Sequence, residues 1–175
     1  ASTLEESIAL LKKLNDFGIE NFIVTPHIME GVWENTPITI KNALSNLQEG
    51  LKKNGLSNIK IKASADYMLD QNFNELLSTK NLLPLKDNYI LIEMSYLSPP
   101  LNLFETLFAI QIAGFTPILA HPERYNSYHS NYTIYEKLKE SGCLFQLNLL
   151  SLSNYYGKEV QVSALKLLKN NMYDF

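Results

Sequence analysis

Apolar residues recur at helical spacing from Leu4 through Ile8, Leu11 and Leu14 to Phe17, and Gly18 ends the run, which predicts a first helix. Ahead of it, Ser2-x-x-Glu5 and Thr3-x-x-Glu6 are two overlapping capping-box candidates. Residues 21–25 read as a short strand that runs out at Pro26-His27. Thr36-Pro37, an N-cap followed by proline at the first helical position, opens a second helix that continues to about Asn54-Gly55. Residues 59–66 alternate with period two, so Ile59, Ile61, Ala63 and Ala65 should face helices, with Ser64 and Asp66 on the opposite side. A short helix over 72–78, a strand over 89–93 and a helix over 101–113 follow. Then come an apolar strand over 115–120, a helix over 132–141, a strand over 143–148 and a helix over 160–170. Tyr173-Asp174-Phe175 has the pattern of a strand opening. Strands that alternate with helices in this way predict a parallel sheet, open or closed into a barrel. No repeat or linker divides the chain, so a single domain over residues 1–175 is expected.

Composition narrows the class of partner. The chain has 175 residues, 46% of them hydrophobic and 19% charged, enough for one domain with a substantial core. A net charge of −3 with no basic run argues against nucleic acid, and no apolar stretch reaches the length of a membrane span. The single cysteine, Cys143, excludes an internal disulfide and fits a reducing, cytoplasmic compartment. Its place in the run Cys143-Leu144-Phe145 predicts a buried thiol rather than a nucleophile.

Candidate chemistry gathers where strands run out: His27, Asp66, Glu93, His121 with Arg124, then Gln146 and Asn148. On a closed parallel barrel these positions converge on one rim. The intervals from Glu93 to His121 to Asn148 match one strand-helix unit and favour closure, and no glycine-rich phosphate loop supports an open nucleotide-binding sheet. Two histidines and two carboxylates are a ligand set for Zn²⁺, Mn²⁺ or Fe²⁺, and arginine offers a fork that fits phosphate. Each has a plainer reading as well. His27 can be satisfied by backbone, Asp66 can cap a helix, and Arg124 can pair with Glu123. His129, in the polar segment Tyr128-His129-Ser130-Asn131, is expected to face solvent. Tyr67, Tyr96, Tyr125 and Tyr128 follow strand ends and either line a pocket or pack.

The motifs Val24-Thr25-Pro26-His27, Ala65-Asp66-Tyr67, Ile90-Leu91-Ile92-Glu93 and Ala120-His121-Pro122-Glu123-Arg124-Tyr125 occur in that order. Together they resemble the polymerase-and-histidinol-phosphatase (PHP) superfamily. They are more closely similar to its bacterial branch of manganese-dependent protein-tyrosine phosphatases of capsular and exopolysaccharide biosynthesis. Gln146-Leu147-Asn148, Ser151-Leu152 and Tyr156-Gly157-Lys158 extend the resemblance to nearly the whole chain.

The resemblance implies a distorted seven-stranded β/α barrel of the TIM-like kind with a metal cluster at its rim. It implies His27, Asp66, Glu93 and His121 as metal ligands and Arg124 as the catalytic, phosphate-binding arginine. Asp66 stands where the family usually has glutamate. The family's His-x-His first-strand motif and Asp-x-His last-strand motif are not in this sequence, so the domain is expected to lack its first strand and the end of its last. The implied cofactor is a divalent metal, Mn before Fe, Zn or Mg, in a cluster incomplete within these residues. The implied partner is a phosphotyrosine-bearing tyrosine autokinase, with no nucleic acid and no membrane insertion, and with oligomerisation left open. A small-molecule phosphatase of the histidinol-phosphate type and a non-catalytic barrel binding module are the rival readings.

Overall fold

A computed structural model of the chain describes residues 3–175, so the Ser2 capping candidate lies outside it. Helix α1 (Leu4–Asp16) is capped by Thr3, whose hydroxyl accepts the Glu6 N–H at 3.2 Å. Helix α2 (Pro37–Lys53) starts at Thr36, whose side chain and that of Thr39 each accept the other's backbone N–H. These reciprocal bonds occupy donors that a helix start leaves open.

The first two expected strands are each broken in two. Strand β1 (Asn21–Val24) pairs in parallel with β3 (Lys60–Ala63), and β2 (His27–Ile28) with β4 (Asp66–Met68). The offset is the same in both pairings, Val24 opposite Ala63 and His27 opposite Asp66, so they form one ladder with an interruption. At the break, Ser64 N–H donates to the Val24 carbonyl (2.9 Å) and Asp66 N–H to that of Pro26 (3.0 Å). Pro26 has no N–H to return, which is why regular pairing lapses there. His27 and Asp66 therefore open short strands instead of closing the ones before them.

The sheet continues through β5 (Tyr89–Glu93), β6 (Thr116–Ala120) and β7 (Leu144–Gln146), all parallel and in chain order. Residues 174 and 175 run beside β7, where Asp174 N–H donates to the Phe145 carbonyl (2.9 Å) and Leu147 N–H to that of Phe175 (2.8 Å). The resemblance implies a seven-stranded barrel lacking here its first strand and the end of its last; the described residues form parallel α/β sheets, and no closed barrel is found among them. The sheet is open, because closure requires its two edges to share hydrogen bonds and β2 pairs only with β4.

Side chains alternate across the sheet and decide what faces what. Tyr67, Ile90, Ile92, Leu119 and Phe145 pack beneath α3 (Gln71–Ser78), α4 (Leu103–Ile112), α5 (Thr133–Glu140) and α6 (Lys158–Lys169). Phe73, Leu107, Ile110, Leu138 and Leu167 are the helical side of that core. Burying each such side chain contributes about 1.5–3 kcal/mol. Ile59 and Ile61 meet Leu11 and Leu51 of α1 and α2 as the alternation predicts, but Ala63 and Ala65 pack into the larger cluster across the break. Ser64 is fully buried and donates to the Leu83 carbonyl at 2.7 Å. Cys143 is buried, and burial pushes its thiol up to about 12.

Candidate metal centre

On the face away from the helices the same alternation places Leu91, Ile118 and Ala120, and with them Asp66 and Glu93. Register sets Asp66 opposite Leu91 and Met68 opposite Glu93, so the two carboxylates are diagonal neighbours on adjacent strands. His27, opposite Asp66 on β2, completes a group whose ligand atoms all lie within 4.8 Å of one another. His27 Nε2 is 3.3 Å from Glu93 Oε1 and 3.8 Å from Asp66 Oδ2. His121 Nε2 approaches the other oxygen of Glu93, at 3.5 Å from Oε2. Glu93 thus stands between two imidazoles, one oxygen toward each.

Burial makes this grouping costly without a cation. Glu93, Asp66 and His121 are buried, whereas the His27 side chain is 46% exposed and opens the site to solvent. Asp66 Oδ1 and His121 Nδ1 are buried with no hydrogen-bond partner. The Asp66 carboxyl is pushed up to about 8, first by burial and then by the Glu93 charge, with Arg124 opposing. Two close carboxylates, one holding an orphaned oxygen, and two ring nitrogens are what a divalent cation with oxygen and nitrogen ligands would relieve. The residues present fit such a metal.

Local structure fixes these groups in place. His121 has a left-handed backbone (φ 37°, ψ 57°), uncommon for a residue with a side chain. The following Pro122 disfavours the right-handed helical region for it. The turn is held because His121 N–H donates to the Gln146 carbonyl (2.8 Å) and its own carbonyl accepts Arg124 N–H (2.9 Å). Strain of this kind is kept where surrounding contacts over-determine the conformation. Tyr125, buried beneath, has a hydroxyl that accepts Met94 N–H (3.1 Å) and donates to the Ala120 carbonyl (3.2 Å).

Arg124, half-buried beside the carboxylates, makes no ion pair and no side-chain hydrogen bond among the described residues. The alternative pairing with Glu123 is not found. Glu123 is fully buried and accepts from Asn148 N–H (3.1 Å) and from the Tyr173 hydroxyl (3.0 Å). The guanidinium of Arg124 instead lies over the rings of Tyr156 and Tyr96, 4.1 and 4.7 Å from their centroids.

The remaining candidates fall elsewhere. Gln146 donates to the neighbouring Leu147 carbonyl, and Asn148 caps a short 3₁₀ turn and donates to the Tyr156 hydroxyl at 3.4 Å. His129 does not face solvent as expected: it is half-buried, with Nε2 2.7 Å from the Glu123 carbonyl, because its turn folds back under the His121 loop. Tyr67, Tyr125 and Tyr128 are core residues, while Tyr96 is 40% exposed at the site. Sequence reasoning passed over Glu123 as a structural tie. Its only sequence signal is an acid locked between a proline and an arginine directly after a buried strand.

A parallel α/β sheet with two imidazoles and two carboxylates gathered together, beside a guanidinium that makes no ion pair among the described residues, defines an α/β protein with a candidate metal centre. The sequence profile of the family described as "Capsular polysaccharide synthesis, CpsB/CapC" matches residues 1–175, and the chain belongs to that family. It is 28% identical over 171 residues to the tyrosine-protein phosphatase YwqE of Bacillus subtilis, covering 97% of this chain and 67% of that protein. It is 28% identical over 158 residues to the tyrosine-protein phosphatase CpsB of Streptococcus pneumoniae, covering 89% of this chain and 65% of that protein. A solved structure described as one of the "unique metal-dependent tyrosine phosphatases" YwqE and CpsB superposes with a TM-score of 0.90 at 28% identity, over 100% of this chain and 71% of the other. The chain spans about two thirds of the length of these relatives.

Proposed function

We propose that the protein hydrolyses phosphotyrosine monoesters with a divalent metal, most readily Mn²⁺, held by His27, Asp66, Glu93 and His121. The observation that carries this reading is Glu93, buried between two imidazoles and next to an Asp66 oxygen with no partner, with Arg124 uncommitted alongside. Its CpsB and YwqE relatives are tyrosine phosphatases, and the solved structure is metal-dependent. The open array in chain order is read as a sector of the β/α barrel expected from the sequence.

When bound, the metal supplies a Lewis acid for a phosphoryl oxygen and a water activated at neutral pH. Glu93 presents one oxygen toward each histidine and so spans the two sides of the site. His121, held by its left-handed turn, and His27, at the solvent edge, set the spacing of the donors. Arg124 receives the phosphoryl oxygens with its planar fork and stabilises the charge that grows on them during transfer. The exposed side at His27 gives a phosphotyrosine on a protein surface room to approach. The substrate proposed is an autophosphorylated tyrosine kinase that controls capsular or exopolysaccharide synthesis, met in the cytoplasm. No helix among the described residues is long and apolar enough to cross a membrane.

The test is phosphate release from a phosphotyrosine peptide and from histidinol phosphate, each with Mn²⁺ and with chelator. Metal-dependent release from the peptide, well above that from histidinol phosphate, is expected. The reverse preference, or release that survives chelation, overturns the reading.

A further inference from the structure

The Arg124 side chain is held neither by a hydrogen bond nor by an ion pair among the described residues, yet it sits against two aromatic rings. Its guanidinium carbon lies 4.1 Å from the centroid of Tyr156 and 4.7 Å from that of Tyr96. Each ring is itself fixed. Tyr96 stacks on the buried Tyr125 with centroids 5.9 Å apart and interplanar angle 27°, and it also meets the His121 ring at 5.8 Å. Tyr156 is reached by the Asn148 side-chain amide at 3.4 Å, and Asn148 N–H is in turn bound by Glu123, the neighbour of Arg124. The two rings arrive from separate segments, one after β5 and one after β7, and both meet the loop after β6.

A guanidinium attracted through its faces keeps its N–H edges free, and those edges are what a phosphate oxygen needs. A carboxylate partner would have consumed the same donors. Resting on the reading of Arg124 as the phosphate-binding cation, we infer that Tyr96 and Tyr156 are its positioning residues, which hold the guanidinium by its faces and leave its edges to the phosphoryl group. The attraction comes from the ring faces, while the Tyr156 hydroxyl, which accepts from the Asn148 amide, serves to fix that ring. The Tyr96 ring also links the arginine to His121, so the anion site and the metal site share one aromatic support.

The experiment measures binding of inorganic phosphate by calorimetry to the Mn²⁺-supplemented protein and needs no turnover. Tyr156→Leu and Tyr96→Leu should each weaken phosphate binding about three- to tenfold, the range of a partly desolvated cation–aromatic contact. Tyr156→Phe and Tyr96→Phe keep the ring faces and should each lose less than the matching leucine variant, with Tyr156→Phe also giving up the Asn148 bond. In an Arg124→Ala background, Tyr156→Leu should add almost nothing further, since a ring that acts only through the arginine has nothing left to hold. Melting curves and metal content accompany each variant. If Tyr156→Leu melts early, Tyr96→Leu carries the same comparison at a more exposed ring. Leucine variants that bind phosphate as wild type does, losses that multiply in full with Arg124→Ala, or a wild-type protein blind to phosphate would each overturn the inference. Ring-dependent phosphate binding in a protein that leaves phosphotyrosine peptide intact would sink the proposed activity and leave the bracket standing.

Discussion

The hydroxyl of Tyr125 accepts the backbone N–H of Met94 at 3.1 Å. The same hydroxyl donates to the carbonyl of Ala120 at 3.2 Å, so one buried group joins the residue after Glu93 to the residue before His121. Tyr125→Phe strands that N–H in the core, at a cost of about 1–3 kcal/mol. The midpoint of urea unfolding should fall accordingly. Mn²⁺ affinity should fall with it, because the ends of β5 and β6 that carry Glu93 and His121 are tied together less firmly beyond their backbone ladder. Metal titration of the variant at a temperature where it remains folded separates the two effects.

Glu93 carries the second prediction. A ligand that binds only the folded state raises stability by about 1.4 kcal/mol for each tenfold excess over its dissociation constant. The melting temperature of wild type should therefore climb with Mn²⁺. Glu93→Gln should abolish most of that climb, because it removes the charge that faces both His27 and His121. Differential scanning calorimetry across a Mn²⁺ series reads it directly.

Arg124→Ala should lower kcat/KM on a phosphotyrosine peptide by about 2.7–4 kcal/mol of transition-state stabilisation, on the scale of a lost oxyanion donor. Metal content and melting temperature should stay near wild type, since the side chain makes no ion pair among the described residues. Arg124→Lys should recover only part of the loss, because a point charge cannot reproduce the bidentate fork. Steady-state kinetics on the three proteins decides it.

Glu123, fully buried, should prove structural. Glu123→Ala leaves the Asn148 N–H and the Tyr173 hydroxyl without their acceptor, and each orphaned group costs about 1–3 kcal/mol. Glu123→Gln keeps one acceptor oxygen and should lose less. Chemical denaturation of both variants gives the comparison, with wild-type stability in Glu123→Ala as the result that excludes this role.

Cys143 supplies a pH dependence. Burial pushes its thiol from 9.0 to about 12, so the folded chain keeps a proton that the unfolded chain gives up near pH 9. Between those values the folded state binds more protons, and stability should decline as pH rises through that window. Iodoacetamide should accordingly leave the folded protein unmodified at pH 9 and label it once denaturant is added, as mass spectrometry will show.

Much of this was legible along the chain because it depends on local pattern. Thr36-Pro37 announces α2, the run at 89–92 announces a buried strand, and a glutamate closing such a run requires a partner. The alternation over 59–66 already puts Asp66 on the side away from Ile59 and Ile61. The His121–Arg124 motif could be read as a strand exit bearing an imidazole and a guanidinium. Helix and strand periods, caps and turn residues act over a few positions, so the sequence carries them on its face.

Contacts between distant segments were not legible. The break at Pro26 shifts His27 from a strand exit to the start of β2, and only its pairing with Asp66 shows this. Whether Arg124 met Glu123 or two tyrosines depended on Asn148 and Tyr173 claiming the carboxylate from far along the chain. His129 turned inward because the Glu123 carbonyl lay within reach. The last two outcomes are competitions among polar groups for a limited set of partners in a buried space. The sequence names the competitors, and only the fold, by fixing distances, decides which of them meet.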